Sequence, residues 1–361
     1  MALELKNITH KVGSETHIYD TSLKLEPGGF NVLLGATNAG KSTLIKILAG
    51  LERPTEGQVL MNGQDVTGIS PQKRNIALVH QFFVNYPHLS VYENIASPLR
   101  VAGIPKDEIR TRVHEAAEIL KLEPMLERKP GELSGGQQQR CALARAIVKE
   151  STAIFLDEPL ANLDYKLREE LRDQLPDLFA NRGSIVVYAT SEPAEALMLG
   201  GQTILMHEGR ITQSGATGDV YRKPQNLTAA EVFSDPPINR ATVTKKGTSF
   251  SLGTSVTWEA TGSSASLADG TYTVAIRPHF VVPTRTESCS VALDGVVEIT
   301  EISGSDSVAH FRPGQDSSWV SLASGVHPYN VGEKHSFFFD PTACFYFDQN
   351  GSLAATGGAH G

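Results

Sequence analysis

The stretch GATNAGKST, Gly35 to Thr43, contains the eight-residue form G-x-x-x-x-G-K-[ST] over Gly35–Ser42, after the apolar run FNVLLG and before a helical pattern. Backbone N–H groups of such a loop, with the start of the following helix, cradle phosphate oxygens. Lys41 then reaches the β/γ-phosphates, the Ser42 hydroxyl binds Mg²⁺, and Gly35, Asn38, Ala39, Gly40 and Thr43 complete the cradle. A glycine turn capping a helix would explain the glycines alone. It would not explain strand, loop, lysine, hydroxyl pair and helix in that order.

Phosphate chemistry also needs acids. AIFLDEP supplies two: Asp157 ends an apolar strand, where it holds Mg²⁺ through its water shell, and Glu158 follows as general base or water-orienting group. Adjacent acids at a strand end are also common solvated punctuation, and the phosphate loop is what argues against that here. In LSGGQQQR, Ser134, Gly135, Gly136 and Gln137 open a helix so that a hydroxyl and bare backbone donors approach a phosphate closely. VVYATSEPAEAL, from Val186, reads as a buried strand whose end delivers Ser191 and Glu192 to some site, with a proline opening a helix-like run.

Positioning these groups requires a layered α/β core. FNVLLG, IALVHQ, AIFLD, SIVVYAT and TILMHEGRI (Thr203–Ile211) read as strands, several apolar throughout, as in a sheet covered on both faces. Between them, Leu44–Leu48, Ile109–Leu122, Gln137–Val148 and Leu167–Phe179 carry apolar residues at helical spacing. The predicted organisation is a nucleotide-binding domain over 1–235 with an inserted helical subdomain at about 88–150. A β-rich domain follows over 236–352, and a loose tail over 353–361.

A chain of 361 residues suits two domains. Its net charge of -8 gives no basic excess for nucleic acid or an anionic membrane surface. No run approaches the ~18 apolar residues of a spanning helix, and no leader pattern opens the chain, so a cytoplasmic protein with any membrane role through a partner is expected. Cys141, Cys289 and Cys344 are far apart and read as reduced.

Taken together, GATNAGKST, LSGGQQQR, DEPLANLD and the Gln81 of IALVHQ resemble the motif set of ATP-binding-cassette (ABC) proteins, and the likeness extends along the whole chain to the ATPase subunits of carbohydrate-class bacterial importers. Within that class the chain looks most like one of the two unlike ATPases of glycerol importers. The resemblance implies an α/β P-loop NTPase core and a C-terminal OB-fold-like regulatory domain. It implies ATP and Mg²⁺ as ligands, with Gln81 beside the metal and the attacking water. Asp164 falls in the family's segment after the catalytic acids. Two such subunits meet head to tail, so that Ser134–Gln137 of one completes the ATP site of the other. Two transmembrane permeases, reached through the Gln81 region, and a periplasmic solute-binding protein complete the system, with this chain peripheral on the cytoplasmic face of the inner membrane.

Three positions depart from that family's pattern. Ser191 stands where the family has a histidine that contacts the γ-phosphate and the attacking water. Val12 stands where an aromatic stacks on adenine, leaving His10 or Tyr19 as substitutes, and Asn38 replaces a loop glycine, which asparagine's access to left-handed conformations permits. A slow site of its own, an intact signature for the partner's nucleotide and therefore pairing with an unlike ATPase subunit are expected. The alternatives are a non-hydrolysing regulatory partner and a soluble ABC protein of translation or DNA repair.

Overall fold

A computed structural model describes residues 2–27, 29–82, 84–161, 163–180, 183–313 and 318–358. The chain divides into two compact units, Met1–Thr217 and Gly218–Gly361. Residues 218–235, placed in the first domain by the sequence reading, pack with the second unit.

The first unit opens with strands β1 (Leu3–Val12), β2 (Glu15–Leu25) and β3 (Phe30–Leu34), then helix α1 (Lys41–Ala49), β4 (Glu56–Met61), β5 (Gln64–Asp65) and β6 (Ile76–Val79). Helices α2 (Val91–Val101), α3 (Lys106–Ile119) and α4 (Gly135–Val148) fall within the segment expected to be a helical subdomain. The unit continues with β7 (Ala153–Asp157), α5 (Tyr165–Ala180), β8 (Ile185–Thr190), α6 (Pro193–Leu199), β9 (Gln202–His207) and β10 (Arg210–Ala216).

The central sheet has the order β10-β9-β3-β8-β7-β6, with β9, β3, β8, β7 and β6 parallel and β10 antiparallel at one edge. Every residue of β3, β7 and β8 is buried, which is why these strands read as unbroken apolar runs. Parallel pairing brings their carboxyl ends to one edge, where doubly wound sheets bind ligands. Leu34 pairs with Thr190 and Asp157 with Ala189, so β8 stands between the phosphate loop and the acids.

TILMHEGRI is two strands rather than one. Glu208 (φ 45°) and Gly209 (φ 74°) both adopt left-handed conformations and turn β9 back into β10. A second antiparallel sheet, β2-β1-β4-β5, is not evident from sequence pattern, because register shifts along β1 break the in-out alternation.

At the boundary α7 (Thr217–Arg222) leads to α8 (Leu227–Val232). The all-β part then runs through β11 (Asn239–Lys246), β12 (Ser249–Leu252), β13 (Val256–Glu259), β14 (Gly270–Ile276), β15 (Val281–Val282) and β16 (Val291–Ile302). It closes with β17 (Asp306–Arg312), β18 (Trp319–Ser324), β19 (Lys334–Phe339), β20 (Phe345–Phe347) and β21 (Leu353–Thr356). Two antiparallel sheets, β13-β12-β11-β14-β20-β21 and β15-β19-β16-β17-β18, share one aromatic core that includes Phe250, Trp258, Phe311, Trp319 and Phe337. This barrel-like arrangement agrees with the expected OB-like domain.

The expected loose tail is corrected through residue 358. Leu353–Thr356 pairs with β20, Ala355 is buried, and Gly357 N donates to Cys344 O at 2.8 Å, so the segment caps a sheet edge. Residues 359–361 lie outside the described residues. Cys141, Cys289 and Cys344 are free thiols, and among the described residues no helix is long and apolar enough to cross a membrane.

Candidate functional site

At the carboxyl end of β3 the chain turns through the phosphate loop. A Cβ on Gly35 would lie 2.4 Å from Met206 O, so only glycine passes there. Asn38 has φ 68° and Gly40 φ 101°, and Ala39 O accepts from Gly209 N at 3.0 Å. Lys41 begins α1 with 4% of its surface exposed, and its Nζ donates to Gly35 O (2.7 Å) and Ala36 O (3.0 Å). Burial pushes this ammonium below the usual lysine range, opposed by Glu158, whose Oε1 is 3.5 Å away. The loop therefore holds a desolvated cation beside its backbone donors, the arrangement that binds polyphosphate.

Ser42 Oγ donates to Asp157 Oδ1 at 3.0 Å. A hydroxyl and a carboxylate meeting there form a hard-oxygen pair suited to Mg²⁺. Burial raises the Asp157 pKa, while the Ser42 bond and His80 oppose the shift. Magnesium at this pair would favour the ionised form.

Glu158 follows with φ 48°, a left-handed conformation that is costly for a residue with a Cβ and persists only where its surroundings fix it. Its N–H donates to Ala189 O at 3.1 Å, and its Oε2 accepts from Gln81 Nε2 at 3.1 Å. From α4, Gln139 donates through Nε2 to Pro159 O and lies 3.5 Å from Glu158 O. Gln139 is only 2% exposed and was missed by the sequence reading, as was His80. A signal for Gln139 did exist. With Ala142, Leu143 and Ala146 it occupies the buried face of α4, and an amide on such a face needs a partner.

Lys41, Ser42, Thr43, Gln81 and Glu158 share a cleft of about 610 Å³ that continues past Asn38 and Gly40 to Thr16, His17, Tyr19, Glu208 and Gly209. A comparable cavity of about 550 Å³, lined by Asn75, Arg112 and Ser151 among others, contains none of these groups. Ser191 lies just beyond β8, exposed, with its hydroxyl making no hydrogen bond among the described residues, and it does not line the cleft. Val12 is 52% exposed in the β1–β2 hairpin and is also outside it. His10 is not a substitute platform, because it is buried with its Nε2 3.3 Å from Glu52 Oε2. Tyr19 does line the cleft, and the Arg210 guanidinium stacks on its ring at 3.8 Å.

The signature residues are elsewhere. Ser134 caps α4, its Oγ accepting from Gln137 N at 3.3 Å while its own N–H donates to Gln137 Oε1 at 2.9 Å. Ser134 and Gly135 are exposed, Gly136 and Gln137 are half-buried, and none lines the cleft. Asp164 is likewise outside it and caps α5 by accepting from Leu167 N at 3.0 Å.

A phosphate loop facing two acids across a parallel sheet, with a separate serine–glycine helix start, defines an ATP-hydrolysing cassette, and the chain belongs to the ABC transporter family as an ATP-binding ATPase. Residues 18–161 match that family under the description "ABC transporter". The chain is 36% identical over 357 residues to the sn-glycerol-3-phosphate import ATP-binding protein UgpC of Yersinia enterocolitica, covering 97% of this chain and 98% of that protein. It is 38% identical over 329 residues to the protein of the same name from Escherichia coli strain K12, covering 90% and 92%. Among solved structures, the dimeric post-hydrolysis ATP-binding cassette MJ0796 bound to ADP and Pi superposes with a TM-score of 0.55 at 30% identity, covering 60% of this chain and 98% of that one.

Proposed function

We propose that this chain hydrolyses ATP to energise import of sn-glycerol 3-phosphate, or of glycerol or a related polyol, through a membrane ABC transporter. The observation that carries this reading is the likeness to import ATP-binding proteins across 97% of the chain, the β-rich second unit included. Two transmembrane permeases and a periplasmic solute-binding protein are the implied partners, with the chain peripheral on the cytoplasmic face of the inner membrane. Exposed Phe82, Val84 and Tyr86, beside Gln81, offer the permeases an apolar contact.

In this reading Lys41 and the loop amides bind the ATP phosphates, Ser42 and Asp157 hold Mg²⁺, with Gln81 beside it, and Glu158 orients and deprotonates the attacking water. The metal, when bound, neutralises charge on the β/γ-phosphate oxygens. Ser191 leaves the γ-phosphate without the family's histidine donor, so turnover at this phosphate loop is slow. Ser134–Gln137 serves the ATP of the opposing subunit, and Asp164 lies beside that contact.

Pairing with an unlike ATPase is supported by Ser191 and by the resemblance to the unlike ATPases of glycerol importers. A pair of identical chains is the second reading, favoured by the likeness to a cassette described as dimeric. Native mass spectrometry of the complex purified through a tag on this chain decides between them: one ATPase mass or two. ATPase of the same complex, stimulated by its binding protein loaded with sn-glycerol 3-phosphate and not by unrelated sugars, is the expected solute signature. Stimulation by an unrelated sugar alone would overturn the solute assignment.

A further inference from the structure

The carboxyl end of β8 is where the parts of the cleft meet. Ala189 O accepts from Glu158 N at 3.1 Å and Thr190 O accepts from Gly35 N at 3.3 Å. One strand end thus supports both the candidate base and the first residue of the phosphate loop, and Ser191 follows directly.

That strand end is itself held by a buried acid. Glu195, in the first turn of α6, is 4% exposed and its Oε2 accepts from Thr190 Oγ1 at 2.6 Å and Tyr188 OH at 3.0 Å. Thr190 spends its single hydroxyl proton on Glu195 and a lone pair on Glu192 N, which donates to Oγ1 at 3.0 Å. The neighbours of Ser191 are therefore fixed on both sides while its own side chain has no hydrogen bond among the described residues.

A carboxylate taken out of water is costly unless its oxygens are satisfied. Here the direct partners are two hydroxyls from the strand rather than a cation. The nearby Arg168 guanidinium pairs instead with Glu192 at 2.6 Å. An apolar residue would anchor α6 to the sheet at lower cost, so the acid's particular contribution is to the two strand residues it bonds.

We infer that Glu195 is a positioning residue for ATP hydrolysis: by fixing Tyr188 and Thr190 it sets the end of β8, and through that end holds Glu158, Gly35 and position 191 in register. The inference rests on reading this strand end as the γ-phosphate side of the site. No contact of Glu195 with nucleotide is implied.

The test uses the full-length chain with Glu195→Ala, Glu195→Gln and Thr190→Val. Gln retains a carbonyl that accepts from both hydroxyls, whereas Thr190→Val removes the same bond from the strand side together with the acceptor of Glu192 N, so in that variant exchange is read at Gly35 and Glu158 only. Hydrogen exchange is read at the amides of Gly35, Glu158 and Glu192, alongside kcat and KM for ATP. In Glu195→Ala and Thr190→Val, these amides are expected to exchange about tenfold faster than in the wild type, with kcat about tenfold lower and KM raised less than about threefold. Glu195→Gln is expected to restore both readouts.

Faster exchange spread evenly over the first unit, unchanged kcat in Glu195→Ala, or a Gln variant as slow as the Ala variant would overturn the inference. A wild-type chain that fails to bind ATP would instead defeat the reading of the site. Exchange at the three amides would still report whether Glu195 holds the strand end.

Discussion

Replacing Ser191 with histidine should make this ATPase faster. The serine hydroxyl sits one bond from Cβ, is exposed and has no hydrogen-bond partner among the described residues, while Thr190 and Glu192 on either side are held by hydrogen bonds. A histidine side chain therefore meets no packing cost, and surface changes of this kind stay within about 0.5 kcal/mol of neutral. A preorganised donor to developing charge is worth about 2.7–4 kcal/mol, or 10²–10³ in rate. Serine acting through a bridging water keeps part of that. The expected gain in kcat is thus about 10- to 100-fold, with ATP affinity changed less than about threefold. The assay is single-turnover phosphate release with the assembled complex in excess over ATP and at saturating concentration, with Lys41→Ala as the blank. A histidine variant that binds ATP and melts like the wild type but releases phosphate no faster would refute the claim that position 191 limits this site.

Gln139→Ala removes the donor to the Glu158–Pro159 carbonyls, and with it one restraint on a left-handed glutamate. It should lower kcat by about tenfold with little change in KM, measured by steady-state ATPase. Because burial raises the Asp157 pKa, this carboxyl takes up a proton at higher pH than an ordinary aspartate. The Mg²⁺ concentration for half-maximal ATPase should therefore rise as pH falls toward the raised Asp157 value, at higher pH than an ordinary aspartate would require, and Asp157→Asn should be weak at all pH. Without metal or nucleotide, Asp157 and Glu195 bind protons more tightly when the chain is folded. Their contribution favours folding at low pH and is lost as pH rises from the unfolded values of 3.8 and 4.5 through the raised ones. Glu195→Gln should flatten its share of the Tm–pH profile.

The phosphate loop and the two acids were legible because each is local in sequence and sits at the end of a strand apolar throughout. Parallel pairing then had only to bring Leu34, Asp157 and Thr190 to one edge. What pattern could not supply was contact between distant segments. Gln139 meets the Glu158 loop across 19 residues, and Gly209 reaches Ala39 and Tyr19 from a hairpin turn hidden inside an apparently continuous strand. Glu195 falls in a helix-like run, and nothing in the pattern marks it, because its two partners lie on β8 at residues that pattern assigns simply to a buried strand. The boundary at Thr217 and the pairing of Leu353–Thr356 escaped for a related reason. Short segments with weak periodicity take their place from the surface they pack on.

The most direct test of the central claim is transport itself. Membrane vesicles carrying the complete importer, with its binding protein and labelled sn-glycerol 3-phosphate on the periplasmic side and ATP on the other, should accumulate solute with the wild-type chain. They should lose that accumulation with Lys41→Ala, whose side chain lies between the loop carbonyls and Glu158. Accumulation without ATP, or equal accumulation with Lys41→Ala, would contradict the account.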